Sequence, residues 1–224
     1  MTILTTSPVA PLLDRLFTEA DAVDPATTPS VADYWNGLTG DDKARLVRSR
    51  TDYLDLYSRM KDIPLAVSRT TGDLLYMLAR SMRATSIVEF GTSFGLSTIC
   101  LAAALRDNGG GQLVTSEFEP SKVARARANL AEAGLGDLVE FREGDALETL
   151  ARDLPGHVDL LLLDGAKALY PDVLDLVLPR LRQGALIVAD NADFCPTYLD
   201  RVRAANGGFR SVAFDDDIEL SIRL

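Results

Sequence analysis

The apolar residues of the first third recur at helical spacing. Val9, Leu12, Leu13, Leu16 and Phe17 fall on one face of a predicted helix over residues 7–22, with Pro8 near its start. After a break at residues 24–29, Leu46, Val47, Tyr53, Leu54, Leu56 and Tyr57 mark an amphipathic helix over 44–60. Pro64 is expected to open a further helix over 65–82, which presents Val67, Leu74, Leu75, Met77 and Leu78. The period then changes. Residues 85–90 form a short β-branched and apolar run, as in a strand buried on both faces of a parallel sheet, and Gly91 ends it. Residues 95–105 return to a helical pattern. Further strands are expected at 112–117, 138–143, 158–164 and 185–189, with helices at 120–133, 146–153, 168–181 and 197–204. Such alternation predicts an α/β fold built on a doubly wound, mostly parallel sheet. The closing strands, 209–214 and 218–223, are separated by only residues 215–217, too few for a parallel crossover, so they are expected to form an antiparallel hairpin.

At 224 residues and 47% hydrophobic content, the chain fits one domain over 1–224, a helical segment at 1–64 preceding an α/β core at 65–224. No apolar run approaches a membrane span, and the first residues lack the pattern of a secretory signal, so no membrane partner and a cytoplasmic location are expected. Cys100 and Cys195 give neither a disulfide framework nor a zinc spacing and are read as reduced thiols. A net charge of −10 disfavours nucleic acid and favours a small-molecule substrate.

A strand, a Gly turn and a helix N-terminus at residues 85–105 place backbone N–H groups where an anionic group can sit, although an ordinary connection has the same pattern. The dinucleotide fingerprint is absent, because Ser93 and Leu96 occupy the positions of its second and third glycines. Glu117, ending the second strand, can accept ribose hydroxyl hydrogen bonds, which implies an adenosine-bearing ligand. Glu89 suits a cationic amine better than a pyrophosphate, and S-adenosylmethionine carries both parts. Asp145, after the third strand, fits either a base-edge contact or a helix cap. Asp164, Asp190 and Asn191 end what should be neighbouring strands, where three oxygen donors can converge on a hard cation such as magnesium; caps and turns are the alternative. Lys167 opens a helix, where a lysine gains nothing from the dipole. Near a divalent cation and partly desolvated, its pKa would fall, letting a neutral amine act as base; the alternative is a solvated surface lysine. His157, in a Pro-Gly turn, is expected to be exposed rather than catalytic.

Five motifs stand in the order found in the S-adenosylmethionine-dependent O-methyltransferases of the catechol and caffeoyl-CoA type, and residues 65–224 resemble the small bacterial members of that family. VEFGTSFGLST resembles the first cofactor motif, implying that Glu89 meets the methionine amine, that Gly91, Thr92 and Ser93 approach the cofactor, and that Ser97 meets its carboxylate. TSEFEP resembles the ribose motif through Glu117, and GDA the adenine-side motif through Asp145 and Ala146. LDGAK and ADN resemble the metal and base motifs: Asp164, Asp190 and Asn191 as ligands, Lys167 as general base, and Asp164 also beside the cofactor. The resemblance implies a Rossmann-like class I methyltransferase sheet, Mg2+, methyl transfer to a hydroxyl of a small aromatic or catechol-like acceptor, and a homodimer. It also implies N-terminal helices at the substrate entrance, where Tyr34, Trp35 and Tyr57 either line the opening or pack in the core. Beyond Asn191 no counterpart is found for the acidic residue that meets the second catechol hydroxyl in some members. A metal-independent methyltransferase and a non-catalytic S-adenosylmethionine-binding protein are the remaining readings.

Overall fold

The computed structural model describes residues 2–214 and 217–224. Helix α1 (Val9–Asp21) buries the apolar face expected of it, Val9, Leu12, Leu13, Leu16 and Phe17. A short α2 (Ala32–Gly37) carries Tyr34 and Trp35. The helix expected over 44–60 is two helices, α3 (Gly40–Val47) and α4 (Tyr53–Arg59). The break has a local cause: Ser49 Oγ accepts the N–H groups of Thr51 at 3.2 Å and Asp52 at 2.9 Å, giving the backbone an alternative to helical bonds. Helix α5 (Arg69–Ser81) starts later than Pro64, because Ser68 caps it by accepting the Thr71 N–H at 3.0 Å.

From there strands and helices alternate: β1 (Ser86–Phe90), α6 (Leu96–Asp107), β2 (Gln112–Glu117), α7 (Pro120–Glu132), β3 (Val139–Glu143), α8 (Ala146–Thr149), β4 (Val158–Leu163), α9 (Tyr170–Val177), β5 (Leu181–Ala189), α10 (Pro196–Arg203), β6 (Phe209–Phe214) and β7 (Ile218–Arg223). They form one seven-stranded sheet of order β3-β2-β1-β4-β5-β7-β6. Strands β1 to β5 pair in parallel, while β7 runs antiparallel to both β5 and β6. The closing hairpin is as expected, although residues 215 and 216 of its turn lie outside the described residues.

Successive residues of β1 serve opposite cores, because strand side chains alternate. Ile87 joins a core with Leu101, Leu105 and Leu113, whereas Val88 and Phe90 join Leu161, Tyr170 and Ile187 on the other face. A third cluster, Val31, Leu46, Leu56, Met60 and Ile63, ties the N-terminal helices together. No helix among the described residues is long and apolar enough to cross a membrane. Both cysteines are buried free thiols, and the His157 side chain is 57% exposed.

The amino-terminal edge of the sheet is latched by Asp159, 5% exposed, which accepts the N–H groups of Thr85 at 2.7 Å and Ser86 at 3.0 Å and pairs with Arg182. Burial pushes its carboxyl up, but Arg182 and the two amides outweigh burial and hold it below the usual carboxylate range. A depressed folded-state pKa contributes stability above the unfolded value of about 3.9, lost as pH falls through the folded value. Asp159→Ala is expected to cost about 3 kcal/mol at pH 7, since two amides and a guanidinium lose their acceptor. Below about pH 4 the gap to wild type should narrow in urea unfolding.

Candidate active site

The strand order reverses between β1 and β4, and an open α/β sheet leaves its ligand crevice at such a point, outside the carboxyl ends of the strands. A cleft opens there. Six of the expected residues line it: Gly91, Ser93, Glu117, Asp145, Ala146 and Asp164. Gly91 donates its N–H to Ser116 O at 3.1 Å at φ 99°, which turns the chain out of the sheet. Glu117 is aimed by two backbone donors, Ser93 N–H at 2.9 Å on one oxygen and Glu119 N–H at 3.0 Å on the other. Each oxygen keeps a second lone pair, so the carboxylate can still accept two hydroxyls. Asp145 caps α8 by accepting the Leu147 N–H at 2.8 Å, and it also lines the cleft.

Glu89, Thr92 and Ser97 lie beneath the cleft rather than on its wall. Glu89 is 0% exposed, and its carboxyl accepts the hydroxyls of Ser97 at 2.6 Å, Thr98 at 2.6 Å and Thr115 at 2.7 Å. Thr115 has one hydroxyl proton and gives it to Glu89, so at the 2.5 Å contact between Thr92 and Thr115 the donor is Thr92. Burial pushes the Glu89 carboxyl up to about 7, against the pull of the three hydroxyls. Glu89 thus ties the Gly91–Gly95 turn and the first turn of α6 to the sheet, and in this arrangement neither it nor Ser97 meets the cleft.

Asp164, Lys167 and Asp190 come together at the ends of β4 and β5. Lys167 Nζ lies 2.9 Å from Asp164 and 3.6 Å from Asp190, and the lysine is buried rather than solvated. Burial pushes both carboxyls up, Asp190 to about 7 with Asp164 as a further cause. Burial pulls Lys167 down, but Tyr170, Asp164, Asp190 and Tyr57 outweigh it and hold the ammonium well above its ordinary value. The depression was expected beside a divalent cation; in this arrangement Tyr170 and the two carboxylates all act on the one ammonium. Asn191 Nδ2 donates to Asp217 at 3.0 Å. Among the described residues no three His, Cys, Asp or Glu side chains cluster as a metal site, so any third donor near Asp164 and Asp190 is of another kind. Asp190 and Asn191 line a second, open cavity with Phe17, Pro64, Val67 and Asp217. The Asp164–Lys167–Asp190 cluster thus stands between the two spaces.

Of the entrance aromatics, Tyr57 lines the cleft, whereas Tyr34 and Trp35 pack on the N-terminal cluster around Val31 and Met60. Lys122, in the first turn of α7, also lines the cleft and is 3% exposed. Its signal is the one read at Lys167, a lysine where the helix dipole disfavours it.

The strand order and the cleft at its switch point define a Rossmann-like α/β architecture. Residues 88–192 match the family described as a methyltransferase domain. The chain is 38% identical over 130 residues to a catechol O-methyltransferase of Niastella koreensis, covering 57% of this chain and 58% of that protein. A catechol O-methyltransferase of Mycobacterium tuberculosis is 38% identical over 127 residues, 57% of each. The match thus spans less than two thirds of these relatives' length. The solved structure of the O-methyltransferase TomG from Streptomyces achromogenes, in complex with S-adenosylmethionine, superposes with a TM-score of 0.66 at 28% identity, covering 90% of this chain and 99% of that one. Part of the chain thus matches a methyltransferase domain, and the chain resembles the S-adenosylmethionine-dependent O-methyltransferases, as its motifs led one to expect.

Proposed function

We propose that this protein transfers the methyl group of S-adenosylmethionine to a hydroxyl of a small, catechol-like acceptor, with Asp164, Asp190 and Asn191 holding a hard divalent cation and Lys167 taking the hydroxyl proton. The observation that carries this reading is the cluster between two spaces: a donor cleft under Glu117 on one side, a cavity lined by Asp190 and Asn191 on the other. The names of the relatives agree with it. Two buried carboxyls, both pushed up by burial and Asp190 also by Asp164, form an oxygen-rich site of the kind that suits magnesium. Bound there, such a cation would supply charge that orients the acceptor hydroxyl and lowers its pKa.

The residues of the chain do the rest. Glu117 fixes the ribose, and the Gly91–Ser93 turn holds the donor's sulfur end near Asp164. Were a cation to engage the carboxylate charge, Lys167 would lose two of the groups that hold its proton, and burial would then favour the neutral amine. That amine accepts the hydroxyl proton while the oxygen forms its bond to the methyl carbon and the carbon–sulfur bond breaks, leaving S-adenosylhomocysteine. Close packing around Lys167 excludes water from the proton's path.

The test is product analysis with catechol and magnesium. A monomethyl ether and S-adenosylhomocysteine are expected in equal amounts. Chelator, or Asp190→Asn, is expected to lower the rate by at least about tenfold. Wild-type rates in chelator would favour a metal-independent reaction. Binding of S-adenosylhomocysteine without methylation of any catechol would leave a cofactor-binding protein.

A further inference from the structure

Lys122 carries a buried charge with no counter-ion. Among the described residues it forms neither an ion pair nor a hydrogen bond; its ammonium lies over the Phe94 ring, 5.9 Å from the centroid. The carboxylates that act on it at longer range, Glu117, Glu119, Asp164 and Asp62, do not offset burial, which pulls its pKa down. Glu117 is committed to two backbone amides, so its oxygens are held in place. On the same cleft, Ser93 Oγ is also buried without a partner. Two donors, one of them cationic, thus line one cleft and lack an acceptor.

An ammonium kept out of water without an anion costs several kcal/mol, a cost that a ligand can relieve by supplying the anion. Adenine and ribose are neutral, and Glu117 already serves the ribose in the reading above. The donor's only anionic group is the α-carboxylate of its amino-acid tail. We infer that Lys122, with the hydroxyl of Ser93, seats that carboxylate, the role that the motif resemblance assigns to Ser97. Ser97 is unsuited to it because its hydroxyl is given to Glu89. The inference rests on the S-adenosylmethionine reading, and its test separates the two.

Wild type, Lys122→Met and Lys122→Arg are titrated by calorimetry with S-adenosylhomocysteine and with 5′-methylthioadenosine, which keeps adenine, ribose and sulfur but lacks the amino-acid tail. Lys122→Met is expected to weaken S-adenosylhomocysteine by roughly tenfold to a hundredfold, the worth of a charge-assisted hydrogen bond. The methylthioadenosine affinity should move less than about twofold, and Lys122→Arg should restore most of the loss. The ligand-free Lys122→Met protein should melt no lower than wild type, since an unpaired buried charge is removed. Should it fail to fold, Lys122→Gln replaces it in the same titrations. Equal losses for both ligands, or an unchanged S-adenosylhomocysteine affinity, would overturn the assignment. A wild-type protein that binds neither ligand would instead overturn the cofactor reading.

Discussion

Lys167→Ala is expected to lower methyl transfer by roughly a hundredfold to ten-thousandfold while S-adenosylhomocysteine affinity stays within a few-fold of wild type. The side chain is absent from the donor cleft but touches Asp164, which lines it, and Asp190, which lines the neighbouring cavity. Its loss should therefore fall on turnover. Without a cation the substitution leaves two carboxyls buried side by side, so the chelated variant should also melt lower than wild type, and magnesium should restore the melting temperature without restoring the rate. That split separates a base from a lysine that only neutralises charge. The pH profile gives a second check. If the neutral amine is the active form, the rate falls as pH drops below the amine's pKa in the loaded enzyme, and that limb should vanish in Lys167→Ala. Turnover unchanged by the substitution would remove Lys167 from the chemistry.

The sheet was legible because its strands are short apolar runs closed by Gly, Glu or Asp, and those closing residues are the ones gathered at the crevice: Gly91, Glu117, Asp145 and Asp164. The hairpin followed from loop length alone. What escaped depends on side chains that compete with the backbone. Ser49 breaks a helix whose apolar spacing runs on through it, and Ser68 moves a helix start that Pro64 had marked. Glu89 shows a different limit. Its position near the end of β1 is compatible with a ligand contact, but register sets it beside Thr115, and α6 brings Ser97 and Thr98 over it. Those are tertiary relations that no local pattern carries. Asn191 shows the same limit, since its partner Asp217 lies 26 residues away. Lys122 did leave a local signal, the dipole argument already made for Lys167, and burial without a counter-ion is what gives that signal meaning.

Gly91→Ala is expected to abolish donor binding and to destabilise the protein by more than about 3 kcal/mol. Two effects combine. The residue sits at φ 99°, where an L side chain is strained, and a Cβ there would lie 2.6 Å from Asp164 C, Asp164 O and Gly165 N. These are backbone atoms at the exit of β4, and Asp164 N–H is itself bonded to Phe90 O at 2.8 Å, so the exit cannot retreat without breaking the β1–β4 ladder. Nor can Gly165 give way, because it lies under the Phe90 ring, which a Cβ on Gly165 would meet at 2.4 Å. The two strand exits thus approach so closely that only glycine fits at each, and this approach sets Asp164 beside the donor cleft. Gly109→Ala is the control. It sits at a similar φ of 104° with nothing within 4 Å of the added Cβ, so it reports backbone strain alone. Urea unfolding should place Gly109→Ala within about 1–2 kcal/mol of wild type, with donor affinity intact. Calorimetry with S-adenosylhomocysteine should show no binding to Gly91→Ala at temperatures where it remains folded. Retained binding by Gly91→Ala would mean that the strand exits can separate, and that the close contact between Gly91 and Asp164 is not what shapes the cleft.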